Sequence, residues 1–241
     1  MLEKTKGIVL HYLKFGESSI IANMFTDTLG RKSFMIKGVR GRKTKLKANQ
    51  VQPLFILDIE FYHKENQDLQ LIREFSPAIS FNDFPYNVKK SAQAMFMAEV
   101  LHKSLRQEET DTALFDFLEN SIEYFDLHTT GSANFHLLFL IKLTRFLGIL
   151  PLKNHSEANR IFDIREGTFN AAVPFHFQFL DTQSAEILSK MLDMNYEEGS
   201  KIRFSHQERN HLLDEIVRFY SYHHYNLLNL KSYSILKELF V

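Results

Sequence analysis

The chain has 241 residues, with 29 Lys and Arg balanced by 29 Asp and Glu, 23 Phe, and neither Cys nor Trp. That length buries a sizeable core and accommodates two domains, while the missing Cys excludes disulfides, thiolate nucleophiles and every Cys-ligated zinc site. The neutral total hides an asymmetry, since residues 1–80 carry 13 basic against 8 acidic side chains, net +5, and residues 81–241 carry 16 against 21, net −5. Such a division suits a basic module for a polyanion joined to an acidic body.

The first eighty residues are punctuated as an all-β unit. Lys6–Leu13 alternates in polarity, Gly16-Glu17-Ser18-Ser19 is a turn, and Ile20–Thr26 reads as a second strand. Arg31–Lys37, Leu54–Tyr62 and Leu69–Phe75 complete the set. Five short strands without an intervening helix predict a small closed barrel, either an OB-fold or an SH3-like barrel. Beyond Pro77 the period becomes helical, over Ser91–Leu105, Leu114–Leu127 and the nearly apolar Asn134–Leu150. After Gly148 and Pro151, Arg160–Arg165 and Thr168–Asn170 flank a Glu166-Gly167 turn and predict a hairpin. Helices resume over Thr182–Met191, capped by Asp181 or Thr182, and over Ser205–Tyr222, where Ser205 and Glu208 have capping-box spacing. A last helix is expected over Tyr233–Leu239. The expectation is an α+β protein with a barrel domain over 1–80 and a helical domain over 81–241, the latter interrupted by an insert at 155–180.

The densest chemical signal lies between the third and fourth strands. Eight of residues 31–47 are basic, namely Arg31, Lys32, Lys37, Arg40, Arg42, Lys43, Lys45 and Lys47, and no acid occurs between Asp27 and Asp58. Gly38 and Gly41 let the backbone approach phosphates. These residues are the expected nucleic-acid-binding set, but a basic barrel by itself does not distinguish DNA from RNA, so a DNA-binding protein and an RNA-binding or ribosome-associated one both stay open here. Tyr12, Phe15, Phe34 and Tyr62 are the barrel aromatics open to two roles, core packing or base stacking, with Phe34 the least suited to stacking. Lys142 and Arg145, three residues apart on an apolar helix, are either solvated charges or the cationic edge of a groove for an acidic-hydrophobic peptide.

Other chemistry finds no support. None of the nine Gly residues is followed by Lys, which removes a phosphate-gripping NTPase loop. No Gly-x-Ser-x-Gly elbow occurs. The eleven His residues have no metal-binding spacing: His206 and His211 are five apart, and His223 and His224 are adjacent. A hydrolase using scattered His and Asp is left without a motif, and neither an enzyme nor a cofactor is expected. No apolar run of signal-peptide length follows Met1–Lys6, so a cytoplasmic location without a membrane segment is expected.

Several short blocks, in this order, resemble the bacterial RecO family of DNA repair and recombination proteins. They are Gly7-Ile8-Val9-Leu10, Gly16-Glu17-Ser18-Ser19, Phe25-Thr26, Leu29-Gly30-Arg31, Lys37-Gly38-Val39-Arg40, Leu46-Lys47 and Gln52-Pro53-Leu54. Phe146-Leu147-Gly148 and Leu230–Leu236 extend the likeness over essentially the whole chain. The resemblance implies an amino-terminal OB-fold before a helical domain, and a recombination mediator that binds single- and double-stranded DNA and anneals complementary strands. It further implies contact with the tail of single-stranded-DNA-binding protein, pairing with RecR, help in loading RecA, and work at the bacterial nucleoid. Many relatives carry a four-Cys zinc module after the Leu-Gly block. Here the Cys-free insert stands in that place, and Lys142 and Arg145 lie near the position that holds the acidic tail.

Overall fold

The computed structural model describes residues 1–39, 48–65, 67–105, 109–128, 132–223, 225, 227 and 229–239. The chain divides by packing into two compact units, Met1–Leu127 and His128–Val241.

Five strands form the first unit's barrel: β1 (Leu2–Phe15), β2 (Ser19–Thr26), β3 (Gly30–Ile36), β4 (Ile56–Tyr62) and β5 (Leu69–Pro77). They close in the order β1-β2-β3-β5-β4, with every pairing antiparallel except β3 with β5. This is the OB-fold, so the SH3-like alternative falls away. The strands run longer than polarity alone predicts because β1 pairs with two partners, β2 through its carboxy-terminal half and β4 through its amino-terminal half. Phe34, Phe61, Ile36, Val9 and Leu57 fill the interior, with the Phe34 and Phe61 rings edge to face at 5.4 Å.

Two helices belong to this unit, α1 (Val88–Ser104) and α2 (Thr112–Leu127). Packing therefore divides the chain later than the change of periodicity near residue 80, because both helices touch the barrel. The His102 ring of α1 stacks on His11 of β1 at 4.9 Å, Phe115 of α2 stacks on Phe25 of β2 at 6.3 Å, and Lys6 Nζ donates to Glu119 at 2.6 Å. Asn87 caps α1 by accepting from the Lys89 and Lys90 amides. A buried network then joins the helices. The Asp126 carboxylate accepts from the amides of Asn82, Asp83 and Phe84 at 2.9–3.0 Å. Lys90, fully buried, donates to the Asp126 carbonyl at 3.1 Å and to the Phe125 carbonyl, and pairs with Asp83 at 2.7 Å.

The second unit is built on α3 (Phe135–Phe146), buried along most of its length. Around it lie a three-stranded sheet of β6 (Ile161–Asp163), β7 (Thr168–Asn170) and β8 (Phe179–Leu180), and the helices α4 (Thr182–Asp193), α5 (Tyr196–Ser200), α6 (His206–Tyr222) and α7 (Lys231–Leu239). The Tyr220 hydroxyl of α6 donates to the Leu140 carbonyl of α3 at 2.7 Å, meeting a buried polar need on both sides. Asp181 caps α4, and Ser205 with Glu208 forms the expected capping box of α6. Besides the short 3-10 turns at Ala48–Gln50 and Ser132–Asn134, two elements escape the sequence reading: β8, only two residues long, and α5, one turn closed by an Asn195–Glu198 capping box. Gly199 lets α5 approach α3 closely, since a β-carbon there would lie 1.8 Å from Leu138 Cδ1. Among the described residues no helix is long and apolar enough to cross a membrane.

The buried lysine network gives a testable consequence. Lys90→Met removes a buried cation and leaves the Asp83 carboxylate unpaired, so it should destabilise the protein by about 3–5 kcal/mol. Urea unfolding followed by circular dichroism measures this, and exposed Lys89→Met, the adjacent control, should change stability by less than about 0.5 kcal/mol.

Candidate nucleic-acid interface

Strand β3 carries the start of the basic run and the structure divides its residues sharply. Arg31 is half-buried: its guanidinium donates to the His102 carbonyl at 2.8 Å, to the Leu105 carbonyl, and contacts His102 Nδ1 at 3.1 Å. These acceptors lie at the carboxy-terminal end of α1, where the helix dipole favours a cation. Burial lowers the Arg31 pKa, though a guanidinium stays charged. Arg31 therefore fastens the barrel to α1. Lys32 is partly exposed and Lys37, just past β3, is exposed. Gly38 takes the left-handed conformation, φ +73°, as the chain leaves the strand. Arg40, Gly41, Arg42, Lys43, Lys45 and Lys47 lie outside the described residues. The chain on either side of them is anchored by Val39 and Val51, both buried in the barrel core.

Register, rather than sequence, reveals the apolar component beside these cations. Leu13 pairs with Ile21, Ile21 with Met35, Met35 with Leu71, and Leu71 with Tyr62. One lateral row thus crosses all five strands. Every member is partly or fully exposed, whereas the neighbouring row through Ala22 and Phe34 is buried, so the first row lies on the outer surface. Phe15 follows on β1, and both it and Tyr62 are exposed. Phe34 is fully buried and takes the core role of the two open to it, while Tyr12 is partly buried against the same core. A large exposed apolar row flanked by cations suits a ligand with flat faces and a charged backbone.

On the wall formed by β1, β4 and β5, the described cations are matched by acids. Lys6 is paired with Glu119, and Lys4 and Arg73 with Glu60. A cleft there is lined by Asp27, Asp58, Glu60 and Glu74. That wall consequently offers a polyanion no cation excess.

In the second unit, Lys142 and Arg145 have different surroundings. Lys142 is half-buried, its ammonium 5.5 Å from the Tyr196 ring centroid. Burial, then Lys153, lowers its pKa, with Glu198 opposing. Arg145 is exposed on the last turn of α3. Tyr196 and Glu198 come from α5, the element that periodicity could not register. Among the described residues no three His, Asp or Glu side chains gather as metal ligands.

Comparison with known proteins agrees with this architecture. Residues 1–81 match the family profile described as Recombination protein O N terminal, and residues 85–233 match Recombination protein O C terminal. The chain is 37% identical over 241 residues to the DNA repair protein RecO of Bacteroides fragilis, covering all of both chains. It is 34% identical over 239 residues to that of Flavobacterium psychrophilum, covering 98% of each, and 31% identical over 244 residues to that of Porphyromonas gingivalis, covering all of both.

The Arg31 contacts separate fastening from ligand binding. Arg31→Ala should cost about 1–3 kcal/mol of stability because buried carbonyls lose their donors, while Lys37→Ala should leave urea unfolding unchanged. Acid acts on the same junction. Burial first, then Arg31 and His11, hold the folded His102 pKa at about 4 against an ordinary 6.5. The unfolded chain binds the proton first, so this contribution is complete above about pH 6.5 and is lost as pH falls toward about 4. Urea midpoints measured across that window should fall with pH, and His102→Gln should flatten the slope.

Proposed function

Because the chain belongs to the RecO family of DNA repair proteins, we propose that it is a recombination mediator. It binds single- and double-stranded DNA, anneals complementary strands, and helps load RecA onto DNA coated by single-stranded-DNA-binding protein, acting in the bacterial cytoplasm at the nucleoid. The observation that carries this reading is the exposed Leu13–Ile21–Met35–Leu71–Tyr62 row on a barrel whose cation excess is concentrated between residues 31 and 47. Phosphates are neutralised by Lys32, Lys37, Arg40, Arg42, Lys43, Lys45 and Lys47, with Arg31 holding β3 in place through α1. Exposed Phe15 and Tyr62 supply faces on which bases stack.

Annealing on such a surface is passive. Cations screen two anionic strands and raise their encounter rate, a process that needs no nucleotide hydrolysis and no catalytic residue. Phosphate contacts position a strand without reading it, so sequence preference is small. The partners that follow are the tail of single-stranded-DNA-binding protein, RecR, and RecA indirectly. Lys142 and Arg145 meet the tail's carboxylates beside the apolar body of α3.

Two measurements test this. With about four to six phosphate contacts, affinity for a labelled oligonucleotide should fall on the order of a hundredfold between about 50 and 200 mM salt. Charge reversal at Arg40, Arg42 and Lys43 should weaken binding and reduce the slope; a flat salt response, or preference for RNA in a competition of equal-length strands, would count against the reading. Charge reversal at Lys142 and Arg145 should spare naked DNA and weaken binding of the acidic tail peptide, as read by fluorescence anisotropy; retention of both ligands would move the tail pocket elsewhere.

A further inference from the structure

The insert of the second unit displays side chains that its own core does not use. Between β7 and β8, Phe175 is 112% and Phe177 91% exposed, and Val173 is 58% exposed. The backbone beneath them is fixed. The Ile164 amide donates to the Gln178 carbonyl at 3.1 Å, His176 Nε2 lies 3.3 Å from the buried Asp163 carboxylate, and β8 pairs with β6. Two fully exposed phenylalanines held on an ordered frame are costly in water and mark a contact surface.

The neighbours of these rings identify the ligand chemistry. Phe177 lines one cleft with Tyr222, Ser221 and Arg218 of α6. The Arg165 guanidinium carbon, from the β6–β7 turn, lies 5.9 Å from the Tyr222 ring centroid. Arg218 is held at 3.0 Å by Glu215, which is itself buried, so the guanidinium is oriented while remaining partly exposed. Asp163 and Glu215 are both buried and engaged, which leaves Glu166 as the exposed acid adjoining Arg165. Aromatic planes with the Arg218 guanidinium in the cleft and that of Arg165 over the Tyr222 ring complement alternating flat bases and phosphates.

We propose that Phe177, Tyr222, Arg165 and Arg218, with Phe175 beside them, form a second single-strand nucleic-acid contact, separate from the barrel. Unpaired bases stack on the exposed rings and phosphates lie against the guanidiniums. Duplex DNA gains little here because its bases are already stacked. The inference rests on the reading that this protein binds and anneals DNA, and extends it: a strand held on this cleft leaves the barrel face open to the complement.

The test uses the full-length protein and oligothymidylate carrying 5-iodouracil, with photocross-links mapped by mass spectrometry. Wild type should cross-link at Phe177 or Tyr222 as well as in the barrel. In a background with Arg40, Arg42 and Lys43 reversed, Phe175→Ala/Phe177→Ala should lower the remaining affinity about tenfold. The same double substitution in the wild-type background should slow annealing, and Phe177→Trp should restore both. The replaced side chains are exposed, so thermal unfolding should be unchanged and a folding defect is separable. Cross-links confined to the barrel, with the double-alanine protein binding and annealing as wild type, would overturn this inference and leave the barrel assignment standing. Loss of self-association or of acidic-peptide binding without loss of DNA binding would assign the face to a protein and overturn it too. If wild type binds no oligonucleotide at all, the underlying DNA-binding reading fails first and this one with it.

Discussion

The barrel depends on a parallel seam of three residue pairs, Ser33 with Leu69, Phe34 with Gln70 and Met35 with Leu71. Every other strand pair is antiparallel and several are joined by short turns, but β3 and β5 meet only after the chain has passed through β4. Without the seam both strands would be open edges, and the outer apolar row would be split between them. Gln70 secures it. Its buried side chain accepts from the Lys64 amide at 2.9 Å and donates to the Lys64 carbonyl at 3.0 Å and to the Gln67 carbonyl, fixing the turn that delivers β5. A buried amide so fully used stabilises one register against its alternatives.

Closure also accounts for the distribution of charge. Once β1, β4 and β5 are adjacent, the acids of β4 and β5 come within reach of Lys4, Lys6 and Arg73 on the same wall. Basic residues there are offset by acidic neighbours, and the surplus is left to β3 and the segment after it. Nearby pairing thus leaves that wall without a cation excess. The same economy operates within β3. Arg31 is drawn to the end of α1, whose carbonyls have no helical partners of their own.

The two helices of the first unit are joined by charges buried where water cannot compensate them. Asp126 satisfies three consecutive amides before α1, and Lys90 satisfies two carbonyls at the end of α2. Each ion relieves backbone groups that helix ends and turns leave unpaired. This explains how α1 is held firmly enough to present its last carbonyls to Arg31. In the second unit the corresponding work is shared between a neutral group, Tyr220 capping the Leu140 carbonyl, and a buried charge, Asp163 accepting from the Arg165 and Glu166 amides.

Much of this protein was legible along the chain because the information is local. Alternation gave the five strands, helical spacing gave the long helices, and Ser205 with Glu208 and Asp181 marked helix starts, since each depends on residues a few positions apart. The basic run was equally plain, as charge density needs no fold to be counted. Of the elements of a few residues, the β6–β7 hairpin was marked by its Glu166-Gly167 turn, whereas β8 and α5 are too short to complete a period and exist through their neighbours. Tertiary structure alone decided that Arg31 turns to α1 while Lys37 faces solvent. It decided that Leu13, Ile21, Met35, Leu71 and Tyr62 form one row, and that Phe177 meets Tyr222 and Arg218. Those relations join residues tens of positions apart, and sequence periodicity holds no term for a distance that only packing creates.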